Sequence, residues 1–129
     1  LDALEGYLTE LRSFRGIERS AFVRELALHH LAERYLELAC SCVLDIAHHV
    51  IADQGYRQAV SYKDTMDVLR EEGLLEADLA DRLKRWMGFR NLLVHIYLEI
   101  DHGESYDAIR DDLEDLQHFA ERMARFLAA

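Results

Sequence analysis

The residues best equipped for chemistry share one apolar stretch, Arg90-Asn91-Leu92-Leu93-Val94-His95-Ile96-Tyr97. Burying four polar groups of this kind costs ~1–3 kcal/mol each if they go unpaired, so a helix that carries them is expected to use them. A guanidinium grips phosphate through charge-assisted hydrogen bonds, and an imidazole moves protons near neutral pH. Together they are a minimal kit for cutting RNA without a metal. The duller alternative is that each polar group satisfies one hydrogen bond or ion pair beside a core, for instance Arg90 with Asp45. Arginine, four residues, histidine, one residue and tyrosine form a more specific pattern than any one of its members.

These residues need a helix to hold them. Trp86, Phe89, Leu93, Ile96 and Ile100 alternate steps of three and four, forming one stripe that must face a core. Arg90 and Tyr97 lie nearly in line on one shoulder of that stripe. Met87, Val94 and Leu98 make a second apolar band, interleaved with Asn91 and His95, which sit one above the other. One small chain covers one such face comfortably, so the second predicts a partner, most simply a two-fold copy. That expectation fails if the last helix covers the band within one chain. Arg90 and His95 lie roughly 140° apart on an ideal helix and do not converge within one chain. Across a two-fold axis, Arg90 of one copy approaches His95 of the other, which predicts a composite site in a homodimer.

Periodicity and punctuation give five helices. The first runs from about Asp2 to Ser13, with Leu4, Leu8 and Leu11 on one face, and stops near Gly16. The second is long, from about Glu18 to Asp53. Phe22, Leu26, Leu31, Tyr35, Leu38, Cys42, Ile46 and Val50 form its stripe, flanked by Leu28, Leu36, Val43 and Ile51. Gln54-Gly55 ends it. Ser61 and Asp64 resemble a capping box that opens a short third helix, which stops at Gly73. The fourth spans about Glu76 to Ile100 and the fifth about Glu104 to Leu127, with Gly103 turning sharply between them as antiparallel neighbours. The expected fold is all-α: one domain over residues 1–129, an antiparallel up-and-down bundle of four main helices plus one short helix, homodimeric.

The chain has 129 residues and no proline, which suits uninterrupted helices, and its formal net charge is −10. That charge argues against a general nucleic-acid coat but permits an enzyme that grips one phosphate locally. Between Glu99 and Asp115 eight acids face the lone base Arg110, read as a solvated helix face or a dock for a basic partner. No apolar run approaches the ~18–20 residues of a bilayer span and no signal-peptide pattern opens the chain, so a cytoplasmic protein with no membrane partner is expected. The start at Leu1 suggests a leader that is trimmed or not shown. Cys40 and Cys42 point to opposite sides of a helix and cannot bridge each other, consistent with reduced buried thiols.

Other candidate sites are weaker. The adjacent pairs His29-His30 and His48-His49 diverge by about 100° on a helix, so neither chelates one ion. Asp45 with His49, and Glu25 with His29, offer two ligands where zinc needs three or four, so no metal or other cofactor is expected. Asp45 is of more interest as a carboxylate on the central rod, needing a partner such as Arg90 or a backbone donor. A phosphate-cradling glycine loop, a nucleophile elbow and a DNA-reading helix are all missing, so no DNA partner is expected.

Met87-Gly88-Phe89-Arg90-Asn91-Leu92-Leu93-Val94-His95-Ile96-Tyr97, closing at Ile100-Asp101, resembles the signature of the HEPN superfamily, and more narrowly that of HepT-like toxins, R-x4-H-x-Y. Cys42 to Ile51 is similar to that family's long second helix, and Ser61 to Met66 with Glu72-Gly73-Leu74-Leu75 to its short third helix and turn. The resemblance implies a dimeric helical bundle with a metal-independent endoribonuclease site at the interface, cutting tRNA or mRNA. Arg90 would bind and polarise the scissile phosphate. His95 would serve as general base or acid on the 2′-hydroxyl and leaving oxygen, and Asn91 would orient His95 or the phosphate. It further implies a toxin–antitoxin pair, in which a nucleotidyltransferase antitoxin transfers AMP onto Tyr97 and so fills the phosphate site. Two alternatives stand beside this: a non-catalytic nucleotide- or partner-binding subunit of a nucleotidyltransferase complex, and a purely structural helical dimer.

Overall fold

The computed structural model describes residues 1–95 and 99–128. Leu4, Leu8 and Leu11 recur at helical spacing, and α1 (Asp2–Ser13) buries all three completely. A 3-10 turn, Phe14–Gly16, follows. The rod expected over Glu18–Asp53 is two helices, α2 (Arg19–Arg24) and α3 (Leu26–Gln54). The chain extends at Glu25 (φ −94°, ψ 113°) although no glycine or proline stands there. The break lets Phe22 turn inward, edge-on to Phe14 and 5.3 Å from the Tyr106 ring. His29 Nδ1–H donates to the Phe22 carbonyl at 3.1 Å, which ties the two helices across the break.

The core arc of α3 also differs from expectation. Leu26 is 63% exposed and Leu31 50% exposed, while Tyr35, Leu38, Cys42 and Ile46 are only partly buried. The buried arc is the flanking set, Leu36, Val43 and Ile51, with Ala32, Ala39, Cys40, Leu44 and Ala47. Small residues fix the arc here because they let neighbouring helices approach closely, which a count of large side chains misses. By length and composition α3 would suit a membrane span, but its core arc is taken up against α1 and the later helices.

Ser61 caps α4 (Tyr62–Glu71), its hydroxyl accepting from the Asp64 N–H at 3.0 Å. The return arm of the expected capping box is displaced by one residue: the Asp64 carboxylate accepts from the Val60 N–H at 2.9 Å. Gly73, at φ 82°, supplies the left-handed turn that follows.

α5 (Ala77–Val94) ends six residues before the expected Ile100, and Ile96, Tyr97 and Leu98 lie outside the described residues. Along α5, Trp86, Met87 and Leu93 are buried. Met87 corrects the second-band reading: one chain covers it fully, because α4 packs across this part of α5. Beyond α4's first turn the band emerges, with Asn91 exposed, Leu92 38% exposed and Val94 partly so.

The expected fifth helix is also two, α6 (His102–Asp111) and α7 (Leu113–Ala128), broken at Asp112 (φ −118°, ψ 1°). α6 packs on α2 and α3 while α7 packs on α1 and α5, so the chain must change direction between them. Gly103 is not the turn; it sits in the first turn of α6, which Asp101 caps by accepting from the Gly103 and Glu104 N–H groups. Arg82 meets Asp115 and Glu76 meets Arg122, so α5 and α7 run antiparallel. The architecture is the expected helical bundle, with α1, α3, α5 and α7 as main members, short α4, and α2 and α6 split from their neighbours.

Part of the acidic stretch is paired within the chain. Asp107 pairs with Arg19 at 3.1 Å, Glu114 with Arg15 at 3.0 Å and Asp115 with Arg82 at 2.7 Å, while Asp115 also accepts from the Trp86 indole. Burial beside Asp115 and Asp111 pushes the Asp112 carboxyl up. These carboxylates bind the last two helices to the others, while Glu99, Glu104, Asp111 and Asp112 remain exposed.

One buried polar cluster seals the junction of α2, α3 and α6. Glu33 accepts from His102 Nδ1 at 2.7 Å and from the Ser105 hydroxyl at 2.8 Å. The His102 ring stacks on His29, centroids 3.6 Å apart. Truncating Glu33 strands a fully buried hydroxyl. Glu33→Ala is expected to lower unfolding free energy in urea by about 2 kcal/mol; a loss below about 0.5 kcal/mol would make the cluster incidental.

Candidate active site

α3 and α5 cross so that Ser41 faces Arg90, while Leu93 shares a cleft with Arg34 and Glu37 further back along α3. The helices are therefore antiparallel, and α4 begins where they meet. Ser41, Leu44, Asp45 and His48 of α3, Tyr62 of α4 and Arg90 of α5 line one small cleft. The C-terminal half of α3's outward arc carries polar members at steps of four and three, Ser41, Asp45 and His48.

Arg90 is partly buried and turns into this cleft. Its Nε donates to the Ser41 hydroxyl at 3.3 Å, and its guanidinium carbon lies 5.1 Å from the centre of the Tyr62 ring. Among the described residues the remaining guanidinium donors have no carboxylate partner. Asp45 lines the same cleft but is exposed, and Arg90 makes no ion pair with it. Exposure removes the reason for expecting an obligatory partner, since water solvates this carboxylate. His48 is held by α4: the Thr65 hydroxyl donates to the Ser61 carbonyl at 3.1 Å, so His48 Nε2–H must donate to it, at 3.2 Å.

His95 stands at the C-terminal end of α5, with φ −96° and ψ 93°. Its Nδ1 bonds the Asn91 main-chain carbonyl, the group that the next turn of backbone would otherwise take. A carbonyl only accepts, so Nδ1 carries the proton, and proton transfer at this ring belongs to Nε2. Asn91 thus orients His95 through its backbone, whereas its side chain is exposed. Tyr97, expected as the modified residue, lies outside the described residues. Arg90 and His95 leave α5 in different directions, one into the α3–α4 cleft and one back along the helix end.

Cys40 is completely buried, and burial pushes its thiol up to about 12; the half-buried Cys42 thiol is raised by burial and then by Asp45. Neither is poised as a nucleophile, and both are free. Among the described residues no group of three or more His, Cys, Asp or Glu side chains gathers to hold a metal ion. Sequence reasoning missed Ser41, Tyr62 and Thr65. Ser41 and Tyr62 are brought to Arg90 only by helix crossing, which no local spacing encodes.

An all-helical bundle carrying arginine, four residues and histidine at the end of its second long helix has the form of a HEPN domain. The ribonuclease HepT-like family profile matches residues 4–123, and the chain belongs to that family. The mRNA nuclease HepT of Shewanella oneidensis is 29% identical over 100 residues, covering 78% of this chain and 75% of that one. The tRNA nuclease HepT of Aphanizomenon flos-aquae is 24% identical over 127 residues, covering 98% and 86%. Among solved structures, the tri-AMPylated Shewanella oneidensis HEPN toxin in complex with MNT antitoxin superposes with a TM-score of 0.88, at 24% identity, over 96% of this chain and 92% of that one.

The cleft depends on where α4 begins. Arg57 clamps α4 from the preceding loop, bonding Asp64 at 2.8 Å and Glu71 at 2.9 Å. The Arg57 guanidinium and then the Val60 N–H hold the Asp64 carboxyl down at about 2. A carboxyl depressed in the folded state adds stability above its unfolded value, roughly 3.9, and loses it as pH falls through the folded value. Asp64→Asn is therefore expected to melt below wild type at pH 6, with the gap closing as pH approaches about 2. A gap that stayed constant with pH would show that the charge of Asp64 contributes nothing.

Proposed function

We propose that this protein is the toxin of a toxin–antitoxin pair, a metal-independent endoribonuclease whose site is completed by a second copy of the chain. The observation that carries this reading is the division of labour on α5. Arg90 presents a guanidinium that has no carboxylate partner among the described residues, and His95 is held with Nδ1 protonated, so that Nε2 is its working nitrogen. RNA supplies its own nucleophile. His95 Nε2 takes the proton of the ribose 2′-hydroxyl, the 2′-oxygen bonds to phosphorus, and the phosphorus–5′-oxygen bond breaks. The leaving oxygen takes the Nε2 proton of the second copy's His95, which enters the step as imidazolium, leaving a 2′,3′-cyclic phosphate. Arg90 holds the non-bridging oxygens as charge builds on them. DNA lacks the nucleophile and is not a substrate.

Support for the dimer comes from apolar surface beside the site. Leu31 is half exposed on α3's outward arc, Leu38 and Cys42 are partly exposed on the same arc, and Leu92 of α5 is 38% exposed. A two-fold copy seated there would bring Arg90 of one chain towards His95 of the other. Asp45, at the edge of this arc, is a supporting residue that sets the charge beside Arg90. The partner we infer is a nucleotidyltransferase antitoxin of the kind bound to the AMPylated Shewanella oneidensis toxin, acting on Tyr97. An adenylate there would bring its own phosphate to the site and displace the substrate's.

The test is incubation of unmodified protein with total cellular RNA in EDTA. Wild type is expected to yield discrete fragments ending in 2′,3′-cyclic phosphate. His95→Ala is expected to lose about 10²–10⁴-fold in rate, and Asn91→Ala far less, because the Asn91 carbonyl survives the change. Intact RNA with wild type, from protein shown by mass to carry no adenylate, would shift the assignment to a non-catalytic subunit that binds the nucleotidyltransferase.

A further inference from the structure

Resting on the ribonuclease reading, we infer that Tyr62 is a base-stacking platform for single-stranded RNA, seating the nucleotide next to the phosphate held by Arg90. Tyr62 is a large aromatic residue left 44% exposed at the start of α4, in a cleft that is otherwise polar. Its ring contacts the Arg90 guanidinium at 5.1 Å and lies 6.1 Å from the His48 ring, tilted by 45°. The guanidinium lies over part of the ring and the rest stays open to solvent. The hydroxyl makes no hydrogen bond within the chain among the described residues, so packing gives no reason for a tyrosine here.

Charge supplies the reason for stacking. The formal net charge of −10 repels RNA at long range, so affinity cannot rest on a broad basic surface. A base stacked on an aromatic face is gripped at short range, with little dependence on salt and with tolerance for base identity. The ring already carries a guanidinium over one face, so a base laid on the exposed part brings its own phosphate within reach of Arg90. Ser41, on the far side, holds the Arg90 Nε at 3.3 Å and leaves the other guanidinium donors directed to that phosphate. Tyr62 therefore both steadies Arg90 and selects a substrate with an unpaired base at the cut, since a duplex offers no free face to stack.

The experiment measures binding of a single-stranded 2′-O-methyl RNA, which offers no 2′-hydroxyl nucleophile, across a salt series. The same backbone without bases serves as control. Tyr62→Leu is expected to weaken binding of the base-bearing strand by at least about fivefold with the salt slope unchanged, and Tyr62→Trp to restore it. The base-free strand is expected to bind wild type and Tyr62→Leu alike. Equal affinities of wild type and Tyr62→Leu for the base-bearing strand would overturn the inference. A flatter salt slope in Tyr62→Leu would also overturn it, because the ring would then serve only to aim Arg90 at phosphate. Unmodified RNA is offered to wild type in parallel. Cleavage there with equal affinities rejects the stacking role alone; neither cleavage nor binding rejects the ribonuclease reading and the stacking role with it.

Discussion

One helix has to serve two environments at once, and the remainder of the molecule is arranged around that demand. The inward arc of α3 carries Leu36, Cys40, Val43, Ala47 and Ile51, and burying it supplies much of the hydrophobic stabilisation of the bundle. The arc beside it carries Ser41, Asp45 and His48, which must stay wet. A helix fixes the angle between these arcs. Once the apolar arc is seated, Ser41 has only one place to be, and that place is opposite Arg90 of α5. The rigidity of the core is thus what aims the site, and no loop has to be ordered to present the guanidinium.

The second demand is that α5 stop. Had it continued to Ile100, the Asn91 carbonyl would accept the backbone N–H four residues on, and the His95 ring would project sideways like any helical side chain. Instead the ring takes that carbonyl itself. This contact takes the place of the next backbone bond and sets the tautomer. The far side of the connection is pinned independently. Asp101 caps α6, and His102 and Ser105 bind the buried Glu33.

These same contacts explain what could be read from residues alone. α1 was legible because Leu4, Leu8 and Leu11 are large, regularly spaced and bounded by Gly16. Ser61 announced α4 through its own cap. The breaks at Glu25 and Asp112 were not legible, since neither position carries a breaker; they are imposed by where Phe22 and Leu113 find core. The seated arc of α3 was misjudged for a related reason: Ala32, Ala39 and Ala47 weigh little in a periodicity count but decide how closely helices approach. Arg90 and His95 announced themselves by type and spacing, whereas Ser41 and Tyr62 look ordinary until the crossing of three helices brings them to the guanidinium.

The charge distribution then becomes intelligible. A protein that must hold RNA gains from positive charge, yet this chain is strongly acidic. Three of the acids near the C-terminus, Glu114, Asp107 and Asp115, are committed to pairs with Arg15, Arg19 and Arg82. Arg90 is treated differently: its neighbours are a hydroxyl and an aromatic ring, both of which orient a guanidinium without neutralising it. A carboxylate in their place would compete with phosphate for the same donors. Among the described residues no ion pair cancels the Arg90 charge, although the Asp45 carboxylate lines the same cleft. Selectivity follows from where charge has been cancelled as much as from where it remains.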